Sequence, residues 1–311
     1  MELTREQQDM LAGGHGEAVA YAMRIQAGVG RVFGARRMVP ITRTHVALSA
    51  QDADLWFVEK MLALGGRCKV SPTVNPSINL SYLNRHLAEI PKAGIDIVTA
   101  TNEAYRKIGA TLTSNCTPYL QQNIPAYGEV IAFSESSATP YVNSVLGART
   151  NRESSQSALC AAITGLVPEY GLLLDENRRA EVLVEVKAKV EDDFDYQLLG
   201  WAYPLKYPGP EIPAFVGIDR RPTPEGFMNF GAELNTSGAV ALYHFVGITP
   251  EAPTQEAAFG GKKPKPEPTD PKKRVAQANE AARMQPSVSR SRSAPSGRQA
   301  QMSPFGWSSS T

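Results

Sequence analysis

The chain has 311 residues, 42% of them apolar and 20% charged, a globular composition with room for one large or two ordinary domains. Its formal charge of +1 conceals a division, because residues 262–311 hold ten Lys and Arg against three acidic residues while residues 1–261 hold 22 against 28. No apolar run reaches the roughly eighteen residues of a membrane span, no basic-then-apolar start marks a secretory signal, and three cysteines without a close pair argue against a disulfide framework. The expectation is a cytoplasmic protein with reduced thiols and no membrane partner.

Thr4 followed by Gln7 reads as a capping box that opens a helix through Met10 and Leu11, interrupted by Gly13-Gly14. Ala18, Tyr21, Ala22 and Ile25 recur at helical spacing and predict a second helix that closes before Gly28 and Gly30. From there short β-rich runs alternate with helical ones. Residues 38–41 and 44–48 read as strands, 52–64 as a helix with Leu55, Val58 and Leu62 on one face, and 69–70 as extended. Residues 80–90 read as a helix, 95–98 as a strand, 102–108 as a helix, and 111–113 and 130–133 as strands ending in polar loops. In the second half, helices are predicted at 155–163 and 194–202, strands at 181–190, 214–218 and 240–246, and a helix starts at Thr223-Pro224-Glu225. The alternation specifies an α/β protein of layered, mixed but mainly parallel sheets with flanking helices.

After Gly261 the composition changes to Lys, Pro, Ser, Arg and Gln without apolar periodicity, so residues 262–311 are read as a disordered basic tail. Its arginines lie among serines with no folded module around them, and charge alone gives only non-specific attraction, so no nucleic acid is expected as a partner.

Polar groups are densest at Ser134-Glu135-Ser136-Ser137-Ala138 and at Asn143-Ser144 through Arg149-Thr150-Asn151. The first run follows a predicted strand, where α/β sheets present their binding groups. Its hydroxyls and N–H groups suit a carboxylate or phosphate, and Glu135 suits a hydroxyl or an amine; the same serines also suit a helix N-cap. Asn75-Pro76 reads equally as a turn. His45 on a strand suits a hydrogen-bonded structural role or an acid–base one, and Arg149 and Arg152 suit anion binding or ion pairs. Cys68 and Cys160 sit in strand and helix contexts as core thiols, and Cys116 alone is most simply a small buried hydrophobe.

Taken together, Leu3-Thr4-Arg5-Glu6, Gly16-Glu17-Ala18, Thr73-Val74-Asn75-Pro76, Asn115-Cys116-Thr117-Pro118-Tyr119-Leu120, the Ser134 and Asn143 runs and Thr249-Pro250-Glu251-Ala252-Pro253-Thr254 resemble the large-subunit module of the aconitase X family over residues 1–261. Members of that family are iron–sulfur dehydratases, including cis-3-hydroxy-L-proline and phosphomevalonate dehydratases. The resemblance implies catalytic roles for His45, Glu135 and Ser136, substrate contacts from Ala47, Leu48, Ser49, Asn75, Pro76, Glu135, Ser136 and Ser137, and Cys116 as one ligand of an iron–sulfur cluster. Leu48 stands where the family usually carries glycine, which puts the local pocket shape in question. The family draws its other two ligand cysteines from sequence beyond Gly261, where this chain has none, so the resemblance implies an incomplete module and an incomplete or absent cluster. It also implies a partner, a small swivelling-domain subunit that brings the catalytic serine, and a small hydroxy acid as substrate. The lack of a basic cluster near the site and a likeness to fungal members favour cis-3-hydroxy-L-proline over mevalonate 5-phosphate. The competing expectation is a truncated paralogue that binds ligand or partner without turnover.

Overall fold

The computed structural model of the chain describes residues 1–49, 52–76 and 91–265. In chain order its elements are α1 (Arg5–Ala12), α2 (Glu17–Val32), β1 (Met38–Pro40), β2 (Arg43–Ala47), α3 (Asp52–Ala63), β3 (Thr73–Asn75), α4 (Lys92–Ile108), β4 (Thr111–Leu112), β5 (Ile131–Phe133), α5 (Ala138–Ser144), α6 (Ser155–Thr164), β6 (Leu166–Pro168), β7 (Val182–Glu185), α7 (Asp193–Lys206), β8 (Pro213–Val216), α8 (Pro224–Gly238), β9 (His244–Phe245) and α9 (Gln255–Phe259).

Helix starts are well determined by side chains. The Thr4 hydroxyl accepts from the Gln7 N–H at 3.2 Å while the Thr4 N–H donates to Gln7 Oε1 at 3.1 Å, closing the capping box read from the sequence. Ser154, Asp192 and Thr223 cap α6, α7 and α8 in turn, and Pro224 fills the first turn of α8, where its missing N–H has no partner to lose. Each such cap is worth about 1 kcal/mol.

Two helices differ from the sequence reading for identifiable reasons. Helix α2 runs on through Gly28 and Gly30 to Val32. At Gly30 an added Cβ would lie 2.9 Å from Pro168 Cβ and 2.7 Å from Met1 Sδ, so the glycine permits close approach to β6 instead of ending the helix. Residues 95–98, predicted as a strand, lie inside α4, where Val98, Thr101, Tyr105 and Ile108 form one buried stripe. Gly109, at φ 104°, closes that helix. Residues 69–70 belong to no strand, β7 and β9 are shorter than predicted, and β6 and α9 were not anticipated. The predicted helix at 80–90 lies outside the described residues.

The architecture is the mixed, mainly parallel α/β arrangement that the alternation indicates. A four-stranded parallel sheet has the order β4-β3-β2-β5, a three-stranded parallel sheet the order β7-β8-β9, and β1 pairs antiparallel with β6. One core joins the larger sheet to its helices through Val46, Phe57, Val58, Met61, Val74, Tyr105, Leu159 and Ile163. A second core is aromatic: Phe215 meets Phe230 edge-on with ring centroids 5.2 Å apart, and Tyr243 and Phe245 complete the cluster. Phe133 from β5 joins this second core, so β5 packs between α6 and the aromatic layer.

Register decides what the sheet presents at its carboxyl edge. His45 of β2 lies opposite Thr73 of β3 and Phe133 of β5, and Ala47 lies opposite Asn75. Glu135, two residues beyond Phe133, therefore comes level with Ala47 and Asn75. Of the stretch read as a disordered tail, only residues 262–265 are described. There the Lys265 N–H donates to the Glu181 carbonyl at 2.7 Å, and its Nζ pairs with the Glu181 carboxylate at 2.6 Å.

Candidate functional site

The loops after β2, β3 and β5 meet at one edge of the four-stranded sheet, and Glu135 is their common point. Its backbone has φ 106°, a conformation that a side chain bearing a Cβ rarely adopts and that costs about 1–3 kcal/mol. The turn is held by Thr139, whose hydroxyl donates to the Glu135 carbonyl at 3.0 Å, and by Asn235 of α8, whose Nδ2 donates to the Ser136 carbonyl at 2.8 Å. Strain kept by surrounding contacts aims the Glu135 carboxylate at the ends of β2 and β3.

The carboxylate is met there by two donors. His45 Nε2 lies 2.8 Å from Oε2, and Asn75 Nδ2 donates to Oε1 at 3.1 Å. His45 is fully buried; its Nδ1 lies 2.9 Å from the Thr73 hydroxyl, which also accepts from Asn123 Nδ2 at 3.0 Å. A carboxylate can only accept, so the ring presents Nε2–H to the acid, and in that neutral tautomer Nδ1 accepts from the Thr73 hydroxyl, an assignment that follows from the hydrogen-bond network. Asn123, Thr73, His45 and Glu135 thus form a directed chain from the sheet interior to the rim, where the Glu135 side chain is 16% exposed.

The loop after β2 is internally saturated. The Ala47 N–H donates to Ser134 Oγ at 2.6 Å, the Leu48 N–H to the Asn75 carbonyl at 2.6 Å, and the Ser49 N–H and hydroxyl both to Asp54 Oδ2 at 2.6 Å. Asp54, itself buried, also accepts from Ser155 and Gln156 through Oδ1, tying α3 and the start of α6 to this loop. The Leu48 side chain packs into the core with Phe57 and Val58 and does not occupy the rim. Pro76 follows Asn75 through a cis bond.

Cys116 lies on the loop after β4 and is exposed. The Ser137 hydroxyl donates to the Cys116 carbonyl at 3.4 Å, which brings this loop against the Glu135 turn. Ser136 is exposed. Ser137 holds the first position before α5 but makes no side-chain cap, so the capping alternative for these serines is not realised. Tyr119, three residues after Cys116, stacks on Tyr141 at 4.5 Å, and burial raises its pKa so that it remains protonated.

The other thiols are elsewhere. Cys160 is buried in α6 and Cys68 is half-buried beside α4; burial pushes the Cys68 thiol up to about 12 and raises that of Cys160 as well. Among the described residues no group of three His, Cys, Asp or Glu side chains is placed to hold a metal ion. Cys116 can supply one thiolate, so the described part of the chain does not by itself fit an iron–sulfur cluster. Of the two arginines, Arg152 Nη1 lies 3.5 Å from Asn235 Oδ1, behind the Glu135 turn, whereas Arg149 faces away from the rim and pairs with Asp175 and the Leu173 carbonyl.

Sequence reasoning singled out His45, Asn75 and Glu135, which the structure joins, but missed Thr73, Asn123, Asp54 and Asn235. Asp54 carried one local signal, an acid in the first turn of a helix; the others carried none.

The phosphomevalonate dehydratase large subunit of Thermococcus kodakarensis is 41% identical over 257 residues, covering 81% of this chain and 63% of that protein. The cis-3-hydroxy-L-proline dehydratase of Pseudomonas aeruginosa is 39% identical over 263 residues, covering 83% of this chain and 45% of that protein. A solved structure described as Thermococcus kodakaraensis aconitase X in its holo-form superposes with a TM-score of 0.74 at 40% identity, covering 82% of this chain and 64% of that one. The chain therefore spans less than two thirds of these relatives' length. The profile of the aconitase X first domain matches residues 1–176 and that of the second domain residues 180–279, beyond Gly261. The chain belongs to the aconitase X family.

Proposed function

We propose that this chain is the large module of a hydro-lyase that removes water from a small hydroxy acid in company with a small subunit. The observation that carries the reading is the buried His45 ring aimed at the strained Glu135 carboxylate, with Asn75 on the other oxygen, at the carboxyl ends of parallel strands in a chain of this family. A carboxylate held in this way accepts a hydrogen bond from a substrate hydroxyl or ammonium, and His45 keeps its orientation while Thr73 and Asn123 keep that of His45. Ser136, exposed beside it, offers a hydroxyl and Ser137 a second. The proton acceptor on carbon comes, by this reading, from the partner. That five relatives are called large subunits supports such a partner.

Relatives named for the two substrates stand at 41% and 39% identity, so likeness alone does not choose between them. The site chemistry favours cis-3-hydroxy-L-proline. A phosphate dianion asks for cations or free N–H groups, but the Ala47, Leu48 and Ser49 N–H groups are engaged within the protein and no Lys or Arg side chain contacts the Glu135 network directly among the described residues. An acidic centre suits the ring ammonium of hydroxyproline. The decisive experiment is an anaerobic dehydration assay of this chain with its small subunit on both compounds: turnover of cis-3-hydroxy-L-proline supports the reading, and turnover of neither defeats it.

An iron–sulfur cluster would supply a Lewis acid for the leaving hydroxyl, and Cys116 would be its ligand from this chain. One thiolate does not hold it. A second reading is a non-catalytic paralogue that binds ligand or partner. Labile sulfide below one equivalent after anaerobic reconstitution of the complex, with hydroxyproline still bound, would support that reading. The three free thiols agree with a reducing, cytoplasmic location, and no helix among the described residues is long and apolar enough to cross a membrane.

A further inference from the structure

Helix α7 is apolar on two opposite faces. Tyr196 and Tyr203 turn into the aromatic core, and Gly200 lies against the Phe230 carbonyl of α8. On the other side Phe194, Leu198, Trp201 and Leu205 follow one another at steps of four, three and four residues. At about 100° per residue these positions fall within an arc of roughly 60°.

The four side chains are 45–64% exposed. Of the ten large apolar side chains exposed among the described residues, they are the four that share one helix, so the stripe is a patch and not scatter. With ordinary side-chain areas they leave about 450 Å² of apolar surface to solvent, more than half of the roughly 800 Å² that each partner hides in a standard stable interface.

Spacing and charge select what fits. Apolar steps of four, three and four are those of a helix seam that interlocks with a second helix. The amino-terminal end of α7 carries Glu191, Asp192, Asp193 and Asp195, and its last turn carries Lys206. Two copies of α7 packed antiparallel set Phe194 opposite Leu205 of the second copy and Leu198 opposite its Trp201. The same packing brings each acidic end to the other copy's Lys206 and opposes the two helix dipoles. A parallel pair would place acids against acids. Those acids also disfavour an anionic membrane surface, which attracts basic helices.

We infer that the outer face of α7 is a self-association surface, across which two copies of this chain pair antiparallel about a two-fold axis passing between Leu198 and Trp201.

The test is sedimentation velocity of the full chain at pH 7, between about 1 and 100 μM. A dimer is expected at the upper concentrations. Trp201→Glu, which sets a charge at the middle of the seam, should remain a monomer throughout, with its fold checked by circular dichroism. Trp56→Glu changes a comparably exposed tryptophan on α3, outside the stripe, and should leave the dimer intact. Leu205→Lys faces the acidic end of the second copy and should associate at least tenfold more tightly than Leu205→Glu. A chain monomeric at every concentration, a dimer that survives Trp201→Glu, loss of the dimer in Trp56→Glu, or equal association of the two Leu205 variants would overturn the assignment. So would a monomer whose α7 amides gain hydrogen-exchange protection only when the small subunit is added, since the face would then belong to that partner.

Discussion

His45 Nε2 and Glu135 Oε2 stand 2.8 Å apart, although the imidazole is sealed inside the sheet and the carboxylate belongs to a turn at its rim. Ninety residues separate them in sequence. The pairing turns a half-buried acid at the rim into a fixed one, and Glu135 has a backbone conformation that only the surrounding contacts sustain.

Two substitutions separate backbone strain from side-chain contact. Glu135→Ala loses the bonds to His45 and Asn75 and keeps the positive φ; Glu135→Gly loses the same bonds and relaxes the backbone. The glycine variant should be the more stable of the two by about 1 kcal/mol, read from urea unfolding. A glycine variant no more stable than the alanine one would show that Glu135 is not strained. In the complex with the small subunit, Glu135→Gln should lower kcat/KM by about 10–100-fold, the loss of one charge-assisted hydrogen bond to the substrate.

Thr73→Val removes a hydroxyl that serves both Asn123 and His45. Two buried polar groups lose a partner, and the expected loss is about 1–3 kcal/mol in chemical denaturation. Thr113→Val, which removes a single bond to the Val74 carbonyl from a half-buried position, should lose less.

Asp54→Ala should loosen the loop after β2, since four hydrogen bonds converge on that carboxylate. A loss of about 2–3 kcal/mol is expected, because the bonds are charge-assisted and buried, with faster amide exchange at Ser49 as the local signature. Asp54→Asn, which retains one acceptor, should lie between that variant and the unaltered chain.

The three thiols should differ in reactivity. Cys116 is exposed, whereas burial raises the Cys68 thiol to about 12 and also raises Cys160. Brief iodoacetamide treatment at pH 8 should label Cys116 first, and peptide mass spectrometry should find Cys68 and Cys160 unmodified until the protein is unfolded. Early labelling of Cys160 would contradict the packing of α6.

Glu129 makes stability depend on acid. Burial pushes its pKa up, but hydrogen bonds from the Thr42 hydroxyl and the Ala126 N–H, with Arg43 alongside, outweigh that and hold it below the usual glutamate value. A depressed carboxylate contributes stability that is full above the unfolded value, near pH 4.3, and is lost as pH falls through the folded value. Glu129→Gln should therefore lower the unfolding midpoint at pH 6 and narrow its difference from the unaltered chain as the pH drops below 4.

Local signals in the sequence were read well where the physics is local. The Thr4 capping box, the Pro224 helix start and the β2 and β5 runs each depend on residues within a few positions of one another. Residues 95–98 misled because a β-branched run looks extended in a short window, while the stripe of Val98, Thr101, Tyr105 and Ile108 that makes it helical extends past that window. Thr73, Asn123 and Asn235 were invisible because each is defined by a partner tens of residues away, and chain order does not reveal strand register. His45 and Glu135 stood out as residue types; their contact followed only from the pairing of β2 with β5.

Ser134 accepts from the Ala47 N–H and donates to the His45 carbonyl, so one hydroxyl stitches β5 to β2 immediately before the acid. A shift of β5 by a single position would break both bonds and turn Glu135 to the opposite face of the sheet. Diversification of such a rim must therefore proceed by exchanging side chains at fixed positions; lengthening or shortening this turn would dismantle the centre instead of retuning it.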